Sequence, residues 1–320
     1  MLSEEAVVSR LWADIRDDLS NRLKFVQVHY KGDRHGDIPD SYLWHFTRLS
    51  ALESMVHGRQ VWLSDLTKSN DADEIRFGLR RVLGVLEEVS PRWANQQHAK
   101  AVVQMAREVI ADLDDRHALY GFCMSEERDT AHHWGAYGGG LQVRPAADDP
   151  YVAIAFDATA MAAPLEFIKD EHPPAFLLNV VFGDEPAQEL CNYWAVKARK
   201  TFELLEATST GLLRDGATHL LKRCLLFVCA LVKAEGWRGE HEFRLLYLPD
   251  FDTEPLGAPR LRPDGRGAYV PLEWEEGRCP IAAVMPHPLA ALDDVERRVR
   301  ALAGGAQIRV LQSELKPRAL

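Results

Sequence analysis

The 320-residue sequence predicts an α+β fold, a mixed and largely antiparallel split sheet carrying helical insertions. Short apolar strand patterns come in groups separated by helical hairpin patterns, instead of alternating one for one with helices as a doubly wound sheet requires. No internal repeat and no low-complexity linker divides the chain. Residues 42–320 therefore read as a single domain, preceded by an N-terminal helix and loop over 1–41.

Taken in order, Val7, Leu11, Ile15, Leu19 and Leu23 recur at i,i+4 and predict an amphipathic helix that packs on its own domain. A polar loop with two glycines and a proline follows over 31–40. Residues 42–47, Tyr-Leu-Trp-His-Phe-Thr, read as a short strand. Ser50-Ala51-Leu52-Glu53 fits a capping box and Gly58 a C′ stop, so a two-turn helix swings the chain back to a second strand over 61–64. Ile75, Leu79, Val82, Leu83 and Leu86 share one helical face until Pro91, and a second helix is expected over 93–113. This hairpin, near 72–118, is the first insertion.

A strand over 120–125 runs into the longest irregular stretch, 126–149, with His132-His133-Trp134 and Gly138-Gly139-Gly140. Strands are expected at 151–157 and 175–183, then helices at 185–200 and 217–233, which form the second insertion. The latter helix is apolar almost all round and should be buried. A turn at 237–240, strands at 242–248 and 268–274, an apolar run at 281–285, a helix at 292–302 and a strand at 308–311 complete the chain.

The sequence is 47% hydrophobic and 27% charged, enough for a sizeable core. A net charge of -10 argues against broad electrostatic binding of nucleic acid, while leaving room for a local basic patch. Cys123, Cys191, Cys224, Cys229 and Cys279 form no CxxC pair and read as small hydrophobes in a reducing compartment. Residues 1–10 lack the basic-then-apolar pattern of a signal peptide, and the longest apolar run, 224–232, is about half a bilayer span. The expectation is a soluble, cytoplasmic protein with no membrane partner.

His45 and Thr47 share one face of the first strand, as Glu242 and Arg244 share one face of a later strand. The plain reading of each is a half-buried histidine and a surface ion pair. His132 and His133 lack the further ligands of a zinc site, and no metal is expected. The triple glycine lacks the strand–GxGxxG–helix setting of a phosphate loop. Asp71, Asp73 and Glu74 suit a helix N-terminus, where acidic side chains favour the dipole, better than a nuclease metal site.

Together, Leu43-Trp44-His45-Phe46-Thr47, Trp62-Leu63-Ser64, Asn70-Asp71…Glu74, Phe122-Cys123-Met124-Ser125-Glu126, Trp134-Gly135-Ala136-Tyr137 and Trp237…Glu240-His241-Glu242-Phe243-Arg244 resemble the bacterial family known as domain of unknown function 2971. That resemblance covers roughly residues 42–313. A more distant one, to the ADP-ribosyltransferase superfamily, implies an ADP-ribosyltransferase-like fold with NAD as substrate.

On that resemblance His45 holds a ribose hydroxyl, and Phe46 and Thr47 flank the nicotinamide amide pocket. Ser125 supplies the middle-motif hydroxyl. Tyr137 stacks on nicotinamide, with Trp134 as competitor. Glu242 is the catalytic carboxylate, and Glu240, two residues earlier, positions the acceptor. Phe46 departs from the superfamily pattern, which often has glycine there. Such chemistry suits these residue types, because breaking the glycosidic bond develops positive charge on ribose and a preorganised carboxylate stabilises it. The acceptor would be a nucleic acid or a protein, and a toxin or phage-defence setting would fit. The alternative is a non-catalytic nucleotide- or partner-binding module on the same fold.

Overall fold

The computed structural model describes residues 42–68, 72–111, 119–158, 160–161, 175–208, 211–247, 256, 258–263, 265, 267–302 and 307–315. The helix and loop expected over 1–41 lie outside them, as do Asn70 and Asp71. The described chain is mixed α+β with a largely antiparallel sheet. Its first strands are β1 (Tyr42–Arg48), β2 (Gln60–Asp65), β3 (Tyr120–Ser125) and β4 (Tyr151–Asp157). Next come β5 (Ala175–Asn179), β6 (Val181–Phe182), β7 (Val232–Lys233) and β8 (Glu242–Tyr247). The last are β9 (Arg260–Leu261), β10 (Ala268–Glu273), β11 (Ile281–Pro286) and β12 (Arg309–Val310). Helices are α1 (Leu49–Gly58), α2 (Ala72–Val89), α3 (Gln96–Ala111), α4 (Ala131–Tyr137), α5 (Asp184–Thr208), α6 (Gly211–Ala230) and α7 (Leu292–Ala301).

The large sheet is forked at β3. On one side β3 pairs along its length with β8, which pairs with β5. On the other side it meets β1 only at Trp44↔Ser125, and β2 only at Ser64↔Gly121 and Asp65↔Tyr120. Phe122, Cys123 and Met124 pair with β8 alone. From this fork β1 leads to β4, β11 and β12, and β2 to β10 and β9. The β1–α1–β2 unit therefore arches away from β3 and returns, leaving a bay against that strand's open edge.

Two cores flank this frame. α2, α3, α5 and α6 share one, so the two helical insertions form a single layer, which covers Leu178 and Leu246 of the sheet. α6 reads as apolar all round because Leu221 and residues 224–231 are walled in by its neighbours. Gly78 of α2 sits so close to α6 that an added Cβ would stand 2.3 Å from the Cys229 carbonyl oxygen. The opposite face packs α1 and α7 against Leu43, Val61, Leu63, Ile154, Leu245 and Val270. Among the described residues, no helix is long and apolar enough to cross a membrane.

Several local expectations differ from the structure. Ser50 does not cap α1. Asp149 does, its carboxylate accepting from Ser50 N and Oγ at 2.9 and 3.0 Å. The helix closes on Arg59 in the left-handed region (φ 48°), with Gly58 still helical. The stretch 126–149 contains α4, whose N-cap Thr130 accepts from the His133 N–H. A two-stranded parallel sheet, β6 with β7, was absent from the sequence reading. Cys191, Cys224 and Cys229 are buried, Cys123 is half-buried, and Cys279 is exposed.

Candidate functional site

The bay between β1, α1, β2 and β3 encloses about 530 Å³ and is walled by His45, Phe46 and Thr47 on one side. Trp62 and Ser64 line it from β2, Gly121, Phe122 and Cys123 form its floor, and Lys68 and Arg262 lie at its far end. Its volume falls inside the roughly 300–1,000 Å³ range of small-molecule pockets. A second, smaller cavity of about 70 Å³ adjoins it. His45, Phe46 and Cys123 line both, and the smaller one adds Ser125, His133, Tyr137, Glu240 and Glu242.

His45 sits where β1 leaves β3. Its Nδ1 lies 2.8 Å from the Cys123 carbonyl, which only accepts, so Nδ1 carries the proton and Nε2 is the acceptor of the neutral ring. Burial lowers its pKa, partly offset by that bond. Alternation along β1 turns Phe46 to the other face, where it stacks on His133 at 4.7 Å and meets Tyr137 at 6.1 Å.

The two glutamates converge on one lysine. Lys233 Nζ lies 2.6 Å from Glu240 Oε2, 2.7 Å from Glu242 Oε2 and 2.7 Å from Glu74 Oε1. Arg244 donates Nε to Glu242 Oε1 at 2.7 Å and Nη1 to the Ala230 carbonyl at 2.7 Å, and it also binds Glu74. Three carboxylates thus face two cations, leaving one negative charge in excess beside the small cavity. Burial would push the Glu242 carboxyl up, but Arg244 and Lys233 together outweigh it and hold the group down at about 2. Burial alone would lower the Lys233 pKa, and Glu242, Glu74 and Glu240 together raise it. Cys123 joins the halves: its carbonyl accepts a hydrogen bond from His45 Nδ1–H, and its thiol is pushed up by burial and then by the nearby Glu242 carboxylate.

Glu240 closes a 3₁₀ turn, Glu235–Glu240, and His241 turns the chain into β8 with φ 42°, a sparsely populated conformation for a non-glycine residue. The turn is pinned at the Glu240 carbonyl, which accepts from Ser125 Oγ at 2.7 Å and His133 Nε2 at 3.1 Å. Tyr137 donates its hydroxyl to Glu240 Oε1 at 2.7 Å. Burial, then Glu240, raises the Tyr137 pKa.

No family model matches the chain, and neither does any curated protein or solved structure.

Of the residues singled out in the sequence, His45, Phe46, Ser125, Tyr137, Glu240 and Glu242 meet at the small cavity. Thr47 lines the bay alone. Trp134 lies apart from both, fully buried, its Nε1 bonded to Asp129 at 2.8 Å, with no ring face left for a ligand. The Glu242–Arg244 pair, read as a surface pair, is buried. Gly138 and Gly140 donate their N–H groups to the Trp134 carbonyl, closing α4. Sequence reasoning missed Lys233 and the role of His133. The one available signal for Lys233 was a cation ending the apolar run 224–232. Among the described residues, no group of three or more His, Cys, Asp or Glu side chains could hold a metal ion.

Proposed function

We propose that the bay binds NAD and that the protein is ADP-ribosyltransferase-like, cleaving the nicotinamide–ribose bond and passing ADP-ribose to a macromolecular acceptor, nucleic acid or protein. One observation carries this reading. At the fork of β1 and β3, a neutral histidine with its Nδ1–H fixed on Cys123 lines a small-molecule cavity and, through the same gap, the cavity of Glu240 and Glu242. The His45 Nε2 would accept from a ribose hydroxyl. Breaking the C1′–N bond leaves its electron pair on nicotinamide, which departs neutral, and positive charge grows on the ribose carbon. The excess negative charge of the glutamate cluster would stabilise that carbon. The acceptor then bonds to C1′ and gives up a proton, for which the Glu240 carboxylate is the base.

The double hold of Arg244 and Lys233 on Glu242 favours a second reading, a nucleotide- or partner-binding module without turnover, because a carboxylate neutralised by two cations stabilises a developing cation less. Incubation with NAD separates the two. Release of free nicotinamide by the wild type, falling about 100-fold or more in Glu242→Gln, supports the enzyme. Binding of NAD without release supports the module and overturns cleavage.

A further inference from the structure

α4 supplies two wall residues of the small cavity, His133 and Tyr137, yet it is only seven residues long. An isolated helix of that length is not stable in water, so its neighbours must hold it. Two side chains of α4 are buried, His133 and Trp134. They serve different neighbours. His133 stacks on Phe46 and donates Nε2 to the Glu240 carbonyl at 3.1 Å. Trp134 belongs to a cluster with Trp44, Ala153 and Met285, against which Leu311 and Leu315 pack.

Asp129 joins that second anchor to the segment after β12, 184 positions away in sequence. Its Oδ1 accepts from Trp134 Nε1 at 2.8 Å, and the Ser313 hydroxyl spans both its oxygens at 2.8 and 3.0 Å. Oδ2 also accepts from the Glu314 N–H at 2.7 Å. Ser313 Oγ in turn accepts from the Leu315 N–H at 3.2 Å. Arg128 pairs with Glu314 at 3.0 Å, but that pair is more exposed and weighs less. The segment is fastened at its other end to the sheet, where β12 pairs with β11 and the Leu311 N–H bonds to the Val284 carbonyl at 2.9 Å. A carboxylate that only braced this segment would have no need of the indole. Here the same group grips both, and bonds to a charged acceptor are stronger than neutral ones.

We infer that Asp129 is a positioning residue for the small cavity: by holding the segment 311–315 and the Trp134 indole together, it seats α4 so that His133 and Tyr137 reach Glu240. This coupling stands on the contacts alone and does not depend on the NAD reading.

Asp129→Asn and Ser313→Ala in the full chain test it, with thermal melting to confirm folding. In Asp129→Asn, hydrogen exchange over residues 131–140 should quicken about tenfold or more, because opening there no longer breaks a bond to a charged group. Exchange in α2, α3, α5 and α6 should stay as in wild type. Ser313→Ala keeps the carboxylate but frees the segment, and should quicken the same residues by a smaller factor. The His133 imidazole gives a second reading, by magnetic resonance titration. Burial lowers its pKa from the ordinary 6.5; the bond to the Glu240 carbonyl and the Glu240 and Glu127 charges oppose this, and His132 adds to it. Loosening α4 wets the ring and moves its titration up toward 6.5, whereas loss of a nearby negative charge alone would move it down. Faster exchange over 131–140 together with that upward move upholds the coupling. Exchange that quickens only over 309–315, or a His133 titration unchanged or lowered in the folded variants, overturns it. If Asp129→Asn does not fold, Ser313→Ala decides by the same two readings.

Discussion

Arg244 grips Glu242 through two parallel hydrogen bonds, Nε to Oε1 at 2.7 Å and Nη2 to Oε2 at 3.0 Å, with both side chains buried on one strand. Removing Arg244 leaves Glu74, Glu240 and Glu242 facing Lys233 alone in the interior. Arg244→Met should cost about 3–5 kcal/mol in urea unfolding, the scale of a broken buried pair. Adding Glu242→Gln to Arg244→Met should cost less than the two single changes together, since the second change removes one of the carboxylates left in excess over Lys233. An Arg244→Met protein as stable as wild type would contradict this account of the cluster.

The same pair sets an acid limit. Glu242 is held at about 2 in the folded chain, against an ordinary glutamate value of 4.5. The folded state therefore binds fewer protons than the unfolded one between these values, so stability rises with pH through that window. Its contribution is complete above about pH 4.5 and is lost as pH falls toward 2. Melting temperatures across pH 2–7 should show this slope in wild type and a shallower one in Glu242→Gln. Equal slopes would place the acid sensitivity elsewhere.

Two glycines of one helix should respond to alanine in opposite directions. At Gly78 a Cβ would stand 2.3 Å from the backbone oxygen of Cys229, so α2 and α6 must part. The expected loss is about 1–3 kcal/mol, typical of overpacking. Gly84 is exposed with nothing within 4 Å of an added Cβ, so alanine there should stabilise by up to about 1 kcal/mol through helix propensity alone. Chemical denaturation of both variants checks the pair, and a stabilised Gly78→Ala would show that the helices are not tightly seated.

The legible parts of this chain were those in which one element carries its own pattern. β1, β3, β8, α2 and the buried α6 follow from alternation or from 3.6-residue periodicity, and the strand grouping pointed to the α+β class. What stayed hidden were relationships across sequence distance. Asp149 caps α1 from 99 positions away, so the local Ser50–Glu53 spacing misled. Glu74 reaches Arg244 from 170 positions away, turning an apparent surface pair into a buried network. Lys233 becomes interior only because β7 pairs with β6, two residues each, too short to leave a periodic signal. The helix α4, seven residues opened by Thr130, was lost among glycines and histidines that read as loop.

Tyr137 offers the last test, because its ring and its hydroxyl make opposite predictions. Tyr137 is 43% exposed and its ring stacks toward Phe46 and His133, while the hydroxyl ties it to Glu240 at 2.7 Å. The cavity it borders holds about 70 Å³, far below the roughly 300 Å³ of even a small ligand pocket. On the NAD reading, nicotinamide enters only when this ring swings outward, and the swing must break the phenol–carboxylate bond. Tyr137→Phe keeps the ring and frees it. A hydrogen bond worth about 0.5–1.5 kcal/mol then translates into NAD binding tighter by about two- to tenfold. Tyr137→Ala opens the cavity but removes the surface on which the pyridine ring stacks, so its KM for NAD should rise. Titration and nicotinamide release measured on both variants check the pair. Equal weakening in both would mean that the hydroxyl serves the ligand directly, and the ring would lose its assigned role.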